Sequence, residues 1–317
     1  MRSVLVTGAN GFVGKALCDL LVDNEMLVKA AIRKSDGVHD GRIDYISVGE
    51  INGDTEWQEA LVGVDCVVHL AARVHVMNET ASNPLDEFRR INTYGTEKLA
   101  RDATKAGVKR LIYLSTIKVN GEATADHPFT EQVDHPPVDP YGLSKWEAEN
   151  IVKKVSAETG MEVVIIRPPL VYGPGVKGNF LTLLKLVSKG LPLPLGAVSN
   201  KRSLVSLDNL VDLIRECIVN PQAAGETFLV SDGHDLSTAE LIRSIAHAME
   251  KSPRLIPVPL LVLNTAATML RKKAVASRLL GSLQVDSTKA QQLLGWQPPQ
   301  SVVLGIERVT HWYRSRS

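Results

Sequence analysis

Tyr141 and Lys145 stand four residues apart in the stretch Tyr141-Gly-Leu-Ser-Lys145, so on a helix the phenol and the ammonium lie one above the other on a single face. Ala148, Val152 and Val155 carry that face onward as an apolar stripe, which sets the pair where the helix meets the interior. A free phenol has a pKa near ~10 and exchanges protons poorly at neutral pH. A neighbouring ammonium favours the phenolate and draws that value toward the working range. Taken alone, the spacing equally describes a Tyr and a Lys that merely share a helix. It gains meaning only with a hydroxyl partner and a dinucleotide site, and the chain holds candidates for both.

The hydroxyls are Ser115 and Thr116, at the end of the apolar run Lys109-Arg-Leu-Ile-Tyr-Leu-Ser115. Strand ends of this kind face the ligand crevice of an open α/β sheet. The dinucleotide candidate is Thr7-Gly-Ala-Asn-Gly-Phe-Val-Gly14, which follows the short apolar run Val4-Leu-Val and precedes Val13, Ala16, Leu17, Leu20 and Leu21 at helical period. Gly8, Gly11 and Gly14 therefore occupy a strand-to-helix turn. That context supplies a tight turn, close approach of backbone to a pyrophosphate, and helix N–H groups facing its charge. Leu27 to Ile32 reads as a second strand, ending at Arg33-Lys34. An acidic residue there suits the ribose of NAD, whereas an arginine suits a 2′-phosphate. Arg33 thus favours NADP(H) over NAD(H), with Asp36 nearby as a group that would still reach a ribose.

Further strands are expected over 44–48, 65–72, 109–115 and 163–167, with helices over 57–61 and 83–106. Strand and helix alternate, which implies an α/β fold with a Rossmann-type doubly wound parallel sheet. His69 reads as a packed strand-end histidine. After Pro168-Pro169 the pattern changes to helices, expected over 180–189, 207–219 and 238–250, with loops rich in proline and glycine. The division expected is a dinucleotide-binding domain over 1–170 and a smaller, mostly helical substrate domain over 171–317. Segments around 201–212 and 226–232 are expected to return to the first domain.

A length of 317 residues, 44% hydrophobic and 22% charged, is ordinary for a globular protein, and a net charge of +1 gives no electrostatic case for a nucleic-acid partner. Cys18, Cys66 and Cys217 lie inside apolar runs without metal-ligand spacing, so they read as reduced core residues of a cytoplasmic protein that needs no metal. The chain enters a strand at once, which leaves no room for a signal peptide. Residues 257–270 form the most apolar stretch, interrupted by Pro259 and Asn264 and followed by Arg271-Lys-Lys273. It reads as a core helix with a basic carboxyl end in preference to a membrane-surface helix.

With these residues assembled, the chain resembles the extended short-chain dehydrogenase/reductases of the nucleotide-sugar epimerase, dehydratase and reductase group. The resemblance runs from Thr7-Gly-x-x-Gly-x-x-Gly14 to Leu294-Gly-Trp-x-Pro298. It implies Thr116, Tyr141 and Lys145 as the catalytic set, with Asn92 in the structural pattern behind them. It further implies that Gly8, Asn10, Gly11, Phe12, Val13, Gly14, Arg33, Leu70, Ala71, Ala72, Tyr141, Lys145 and Pro168 line the cofactor. Lys118, Asn179 and Arg202 fall at substrate positions, the last two facing a nucleoside diphosphate, taken as UDP; Arg278 is a candidate for a second phosphate arginine. Dehydratases of the group carry Asp-Glu directly after the catalytic threonine, where this chain has Ile117-Lys118, and 4-epimerases a Tyr-Gly where it has Asn120-Gly121. Thr116-Ile-Lys-Val-Asn-Gly121 is most similar to O-antigen cluster enzymes that reduce a UDP-linked 4-keto-6-deoxy-N-acetylhexosamine. The expected activity is that 4-keto-reduction with NADP(H); the alternative is a UDP-sugar 4-epimerase that retains NAD. A homodimer is compatible with the resemblance, and peripheral membrane contact is not expected.

Overall fold

The computed structural model describes residues 2–34, 41–74 and 83–316. Seven parallel strands make the main sheet: β1 (Ser3–Thr7), β2 (Leu27–Ile32), β3 (Ile43–Ser47), β4 (Cys66–His69), β5 (Arg110–Leu114), β6 (Glu162–Arg167) and, later in the chain, Thr227–Leu229. The last is β9, since β7 (Leu170–Tyr172) and β8 (Leu204–Ser206) pair with each other in a separate two-stranded ladder. The sheet order is β3-β2-β1-β4-β5-β6-β9, a Rossmann-like arrangement. The chain first winds outward from β1 to β3, then returns to place β4 on the other side of β1. That reversal opens a crevice beyond the carboxyl ends of β1 and β4, where ligands of such sheets bind.

The strands are short apolar runs because both faces of the sheet are covered. Val4 and Val6 of β1 point to one face, with Leu17 and Leu21 of α1 (Phe12–Asp23). Leu5 points to the other, with Leu61 of α2 (Gln58–Leu61) and Leu99 of α4 (Gly95–Lys105), which follows α3 (Pro84–Phe88). Val152 of α5 (Pro140–Thr159) joins that second face, and Leu210 and Ile214 of α7 (Leu207–Val219), which follows α6 (Gly178–Ser188), join the first. Each such side chain, fully buried, is worth roughly 1.5–3 kcal/mol. A third apolar cluster holds Tyr172, Phe180 and Leu184 with Leu241 and Ile245 of α8 (Thr238–Ala248). The remaining helices are α9 (Leu260–Met269), α10 (Lys273–Leu280), α11 (Thr288–Leu294) and α12 (Val302–Arg314). All three cysteines are free and buried.

Two expectations are corrected. The helix read over 83–106 is α3 and α4 separated by a π-helical turn, Arg89–Tyr94. The wide turn lets Asn92 point inward: its Oδ1 accepts from the Arg73 N–H (2.8 Å) and its Nδ2 donates to the Arg73 carbonyl and the Ser144 hydroxyl (both 3.0 Å). Helical period alone cannot announce one extra residue in a turn. The apolar stretch 257–270 is not a core helix: no residue of α9 is buried, because only a narrow edge of it, at Leu263, reaches the third apolar cluster.

Candidate active site

At the end of β1 the chain turns at Gly8 with φ 68°, and a Cβ there would stand 2.9 Å from the Ala71 backbone nitrogen. Gly14 packs still closer: a Cβ there would lie 2.7 Å from Ala9 Cα, besides meeting the Gly8 carbonyl. Side chains are thus excluded on both sides of the turn. Gly11 donates its N–H to the Gly8 carbonyl (2.9 Å), and α1 starts there without a side-chain cap and without an acid in its first turn. The first N–H groups of α1, at Phe12 and Val13, therefore have no side-chain acceptor and suit an anion. A cradle of backbone, closed to any Cβ, fits a dinucleotide pyrophosphate. Asn10 is exposed beside it.

The facing wall is the loop Leu70–Ala72, all partly exposed. His69 braces it from below. Its Nδ1 lies 2.7 Å from Thr7 Oγ1, and its Nε2 lies 3.0 Å from Thr96 Oγ1. Thr7 Oγ1 in turn accepts from the Ala71 N–H (3.2 Å). Burial, with the Lys145 charge added, pushes the imidazole down to about 3, so His69 is a neutral spacer at working pH. At the end of β2, Arg33 and Lys34 are exposed, and the Arg33 carbonyl accepts from Ser47 Oγ (3.2 Å). Asp36 lies outside the described residues.

Tyr141 enters in the first turn of α5, which Asp139 caps by accepting from the Gly142 N–H (3.1 Å) behind Pro140. The phenol stands near Thr116, whose hydroxyl favours the ionised phenol, and its ring meets Phe88 edge to face at 5.9 Å. Thr116 sits two residues beyond the end of β5. Its loop is held down by the Ile117 N–H donating to the buried Pro168 carbonyl (3.0 Å). Lys145, 2% exposed, donates to the Leu114 carbonyl (2.7 Å) and stands 4.0 Å over the Tyr113 ring. Burial lowers its pKa to about 7, against a smaller opposite pull from Glu149. Burial and then the Asp139 carboxylate push the Tyr141 phenol up to about 12, with the nearby Thr116 hydroxyl pulling the other way. The phenol is therefore a protonated group in this state, and the ammonium is spent on a carbonyl and a ring rather than on lowering it.

The expected substrate residues are dispersed. Lys118 reaches Glu122 (2.9 Å) and Asp139 (3.3 Å). Asn179 is exposed at the start of α6. The Arg202 guanidinium donates to the carbonyls of Arg278 (2.9 Å) and Gly281 (3.0 Å), while the Arg278 side chain is exposed. A cavity of about 580 Å³ lies beside this segment, lined by Asn200, Lys201, Asp235, Arg243 and Gln284 among others, and none of Thr116, Tyr141 or Lys145 borders it.

The sequence reading offers Ser115 and Thr116 together, and it does not anticipate the burial of Arg167. Ser115 Oγ is buried without a hydrogen-bond partner, next to Thr116; the strand-end Ser-Thr pair was the signal, but nothing in it distinguished the two hydroxyls. Arg167, directly before Pro168, is fully buried and clamped by both oxygens of Glu149 (2.9 and 2.6 Å). The only sign was Glu149 one turn beyond Lys145 on the apolar stripe.

Residues 4–231 match the NAD dependent epimerase/dehydratase family. The chain is 47% identical over 310 residues to the UDP-glucose 4-epimerase of Vibrio cholerae, covering 97% of this chain and 94% of that one. It is 27% identical over 324 residues to the N-acetyl-alpha-D-glucosaminyl-diphospho-ditrans,octacis-undecaprenol 4-epimerase of Escherichia coli O157:H7, covering 98% and 95%. The fold is similar to that of UDP-glucuronic acid 4-epimerase from Bacillus cereus in complex with NAD, with TM-score 0.80, 21% identity and 99% of each chain covered.

Proposed function

This chain belongs to the NAD-dependent epimerase/dehydratase family, and on that premise we propose that it oxidises and reduces C4 of a UDP-linked hexose, working as a 4-epimerase. The observation that carries this reading is the buried Tyr141 phenol near Thr116, with the almost fully buried Lys145 one turn along α5 and a side-chain-free dinucleotide cradle at the end of β1. Bound nicotinamide supplies the hydride acceptor and donor. Tyr141 holds the proton that leaves and returns at the C4 oxygen, and Thr116 fixes that oxygen by hydrogen bonding. Lys145, with a pKa near neutrality, supplies a positive charge that adapts to the charge of its surroundings. The cofactor is assigned to the part over 1–170, through Gly8, Asn10, Gly11, Phe12, Val13, Gly14, Leu70, Ala71, Ala72 and Pro168. The UDP moiety is assigned to 171–317, through Asn179 and Arg202.

Dehydration does not suit the site: Ile117 is buried and Lys118 is engaged with Glu122 and Asp139, so no acid follows Thr116 to expel water. The order of the two activities is reversed from the sequence reading because of the 47% identical Vibrio cholerae relative. Reduction of a UDP-linked 4-keto-6-deoxy-N-acetylhexosamine is the second reading. It is favoured by Arg33 and Lys34, exposed at the β2 end, where a 2′-phosphate would meet two cations.

An epimerase keeps its cofactor between half-reactions and a reductase exchanges it. The purified protein is denatured, the released nucleotide identified, and UDP-glucose, UDP-N-acetylglucosamine and a UDP-4-keto sugar are supplied in turn. Released NAD with C4 inversion supports the first reading; no bound cofactor, with NADPH consumed by the keto sugar, replaces it with the second. Absence of both reactions would remove UDP-sugars from the proposal.

A further inference from the structure

Helix α9 touches the rest of the protein along a narrow line, while the end of α10 is held by Asn200, Arg202 and Thr238. Leu263 and Ala267, one turn apart, are the partly covered positions of α9. At about 3.6 residues per turn, Leu261, Val262 and Met269 fall on the opposite side of the helix. They are exposed, Leu261 by 79% and Met269 by 80%, with the exposed Thr265 and Thr268 between them. Ile256, Leu260, Leu270 and Val275, before and after this face in the chain, are exposed as well. Single exposed aliphatics are ordinary, whereas several large ones on one face of one helix mark an interaction surface.

The charge around this patch is one-sided. From Lys251 to Val285 the chain has six basic residues and no Asp or Glu, in a protein with 36 basic and 35 acidic residues in all. Arg271, Lys272 and Lys273 are exposed at the turn between the two helices. Arg271 takes φ 55° there, a left-handed conformation that glycine adopts at lower cost.

We propose that α9–α10 is a seat for an anionic lipid surface. The aliphatic side of α9 enters the boundary between headgroups and acyl chains, and Arg271, Lys272 and Lys273 meet the lipid phosphates. Apolar area combined with adjacent cations is what binds a helix in that boundary. Among the described residues no helix is long and apolar enough to cross a membrane, so the segment lies on the surface. A second copy of the chain is a poorer occupant, since a two-fold interface sets a patch against itself and would press the two basic clusters together. Seating also has a direction. The carbonyls of Arg278 and Gly281, at the end of α10, accept from Arg202, so the Arg202 end of the substrate side is carried with the seat.

The test is flotation of the full-length protein with vesicles of phosphatidylcholine alone or mixed with phosphatidylglycerol. Partition onto the mixed vesicles is expected, weakened by salt. The triple charge reversal Arg271→Glu, Lys272→Glu, Lys273→Glu should weaken it by at least about a hundredfold. Leu261→Ser with Met269→Ser should also release the protein, with melting temperature unchanged in both variants because the residues are exposed. Independently, the fluorescence of Leu261→Trp should shift to the blue on the mixed vesicles. Equal partition onto phosphatidylcholine alone, no partition at low salt, or no blue shift would each overturn the proposal. So would a dimer in sedimentation that both multiple variants convert to monomer, which would assign the patch to self-association.

Discussion

Arg167 and Lys145 are both buried cations, and both have Glu149 as their nearest acid, yet the fold serves them differently. Glu149 gives both carboxylate oxygens to Arg167 at 2.9 and 2.6 Å, and Asn120 Oδ1 and the Glu131 carbonyl take the other guanidinium nitrogen. Lys145, one turn from Glu149 on the same helix, receives only the Leu114 carbonyl and the face of Tyr113. Every guanidinium nitrogen of Arg167 thus has an acceptor. Lys145 has its pKa drawn down to about 7 by burial, so its charge responds to what binds beside it. A buried cation that holds structure is compensated in full; one placed for chemistry is left short of a partner.

Breaking the compensated site should have the largest effect. Glu149→Gln leaves Arg167 buried without a counter-charge, which should cost about 3–5 kcal/mol of stability in a urea titration. The double change Glu149→Leu, Arg167→Met should recover most of that loss. A single variant as stable as the native protein would mean that water or another group already compensates Arg167.

Tyr141→Phe probes the chemical site next. Turnover should fall by roughly 10²–10⁴ while the unfolding midpoint in urea stays near the native value. Turnover within a few-fold of native would take the phenol out of the proton path.

Lys145→Met sharpens the contrast through pH. The folded-state value of about 7 lies below the free value of 10.5, so between the two the unfolded chain binds more protons at this site. Native stability should therefore rise relative to the variant from about pH 7 to about pH 8.5, by up to roughly 1.4 kcal/mol per pH unit. Parallel pH curves for the two proteins would show that Lys145 is compensated as well as Arg167 is. Ser115→Ala should have the smallest effect on folding, within about 1 kcal/mol, because its buried hydroxyl has no partner to lose. Substrate or cofactor affinity should nevertheless fall, up to about tenfold; unchanged affinities for both would mean that the hydroxyl faces neither ligand.

What the sequence by itself determined is local. Short apolar runs had to be strands covered on both faces, and three glycines between a strand and a helix had to make a turn no side chain could enter. Four-residue spacing had to put Tyr141 and Lys145 on one face of α5. The tertiary structure decided which groups those faces meet. Pairing β9 with β6 and β7 with β8 depends on segments far apart in the chain, as does the grip of Glu149 on Arg167. The π-helical turn at Arg89–Tyr94 answers to partners at Arg73 and Ser144 that no local period encodes. Residues 257–270 show the limit most sharply: an apolar helix has the same sequence whether it is buried or exposed. Only the packing of the surrounding elements left α9 at the surface, because hydrophobicity measures what a side chain would gain by burial and says nothing of what is available to bury it.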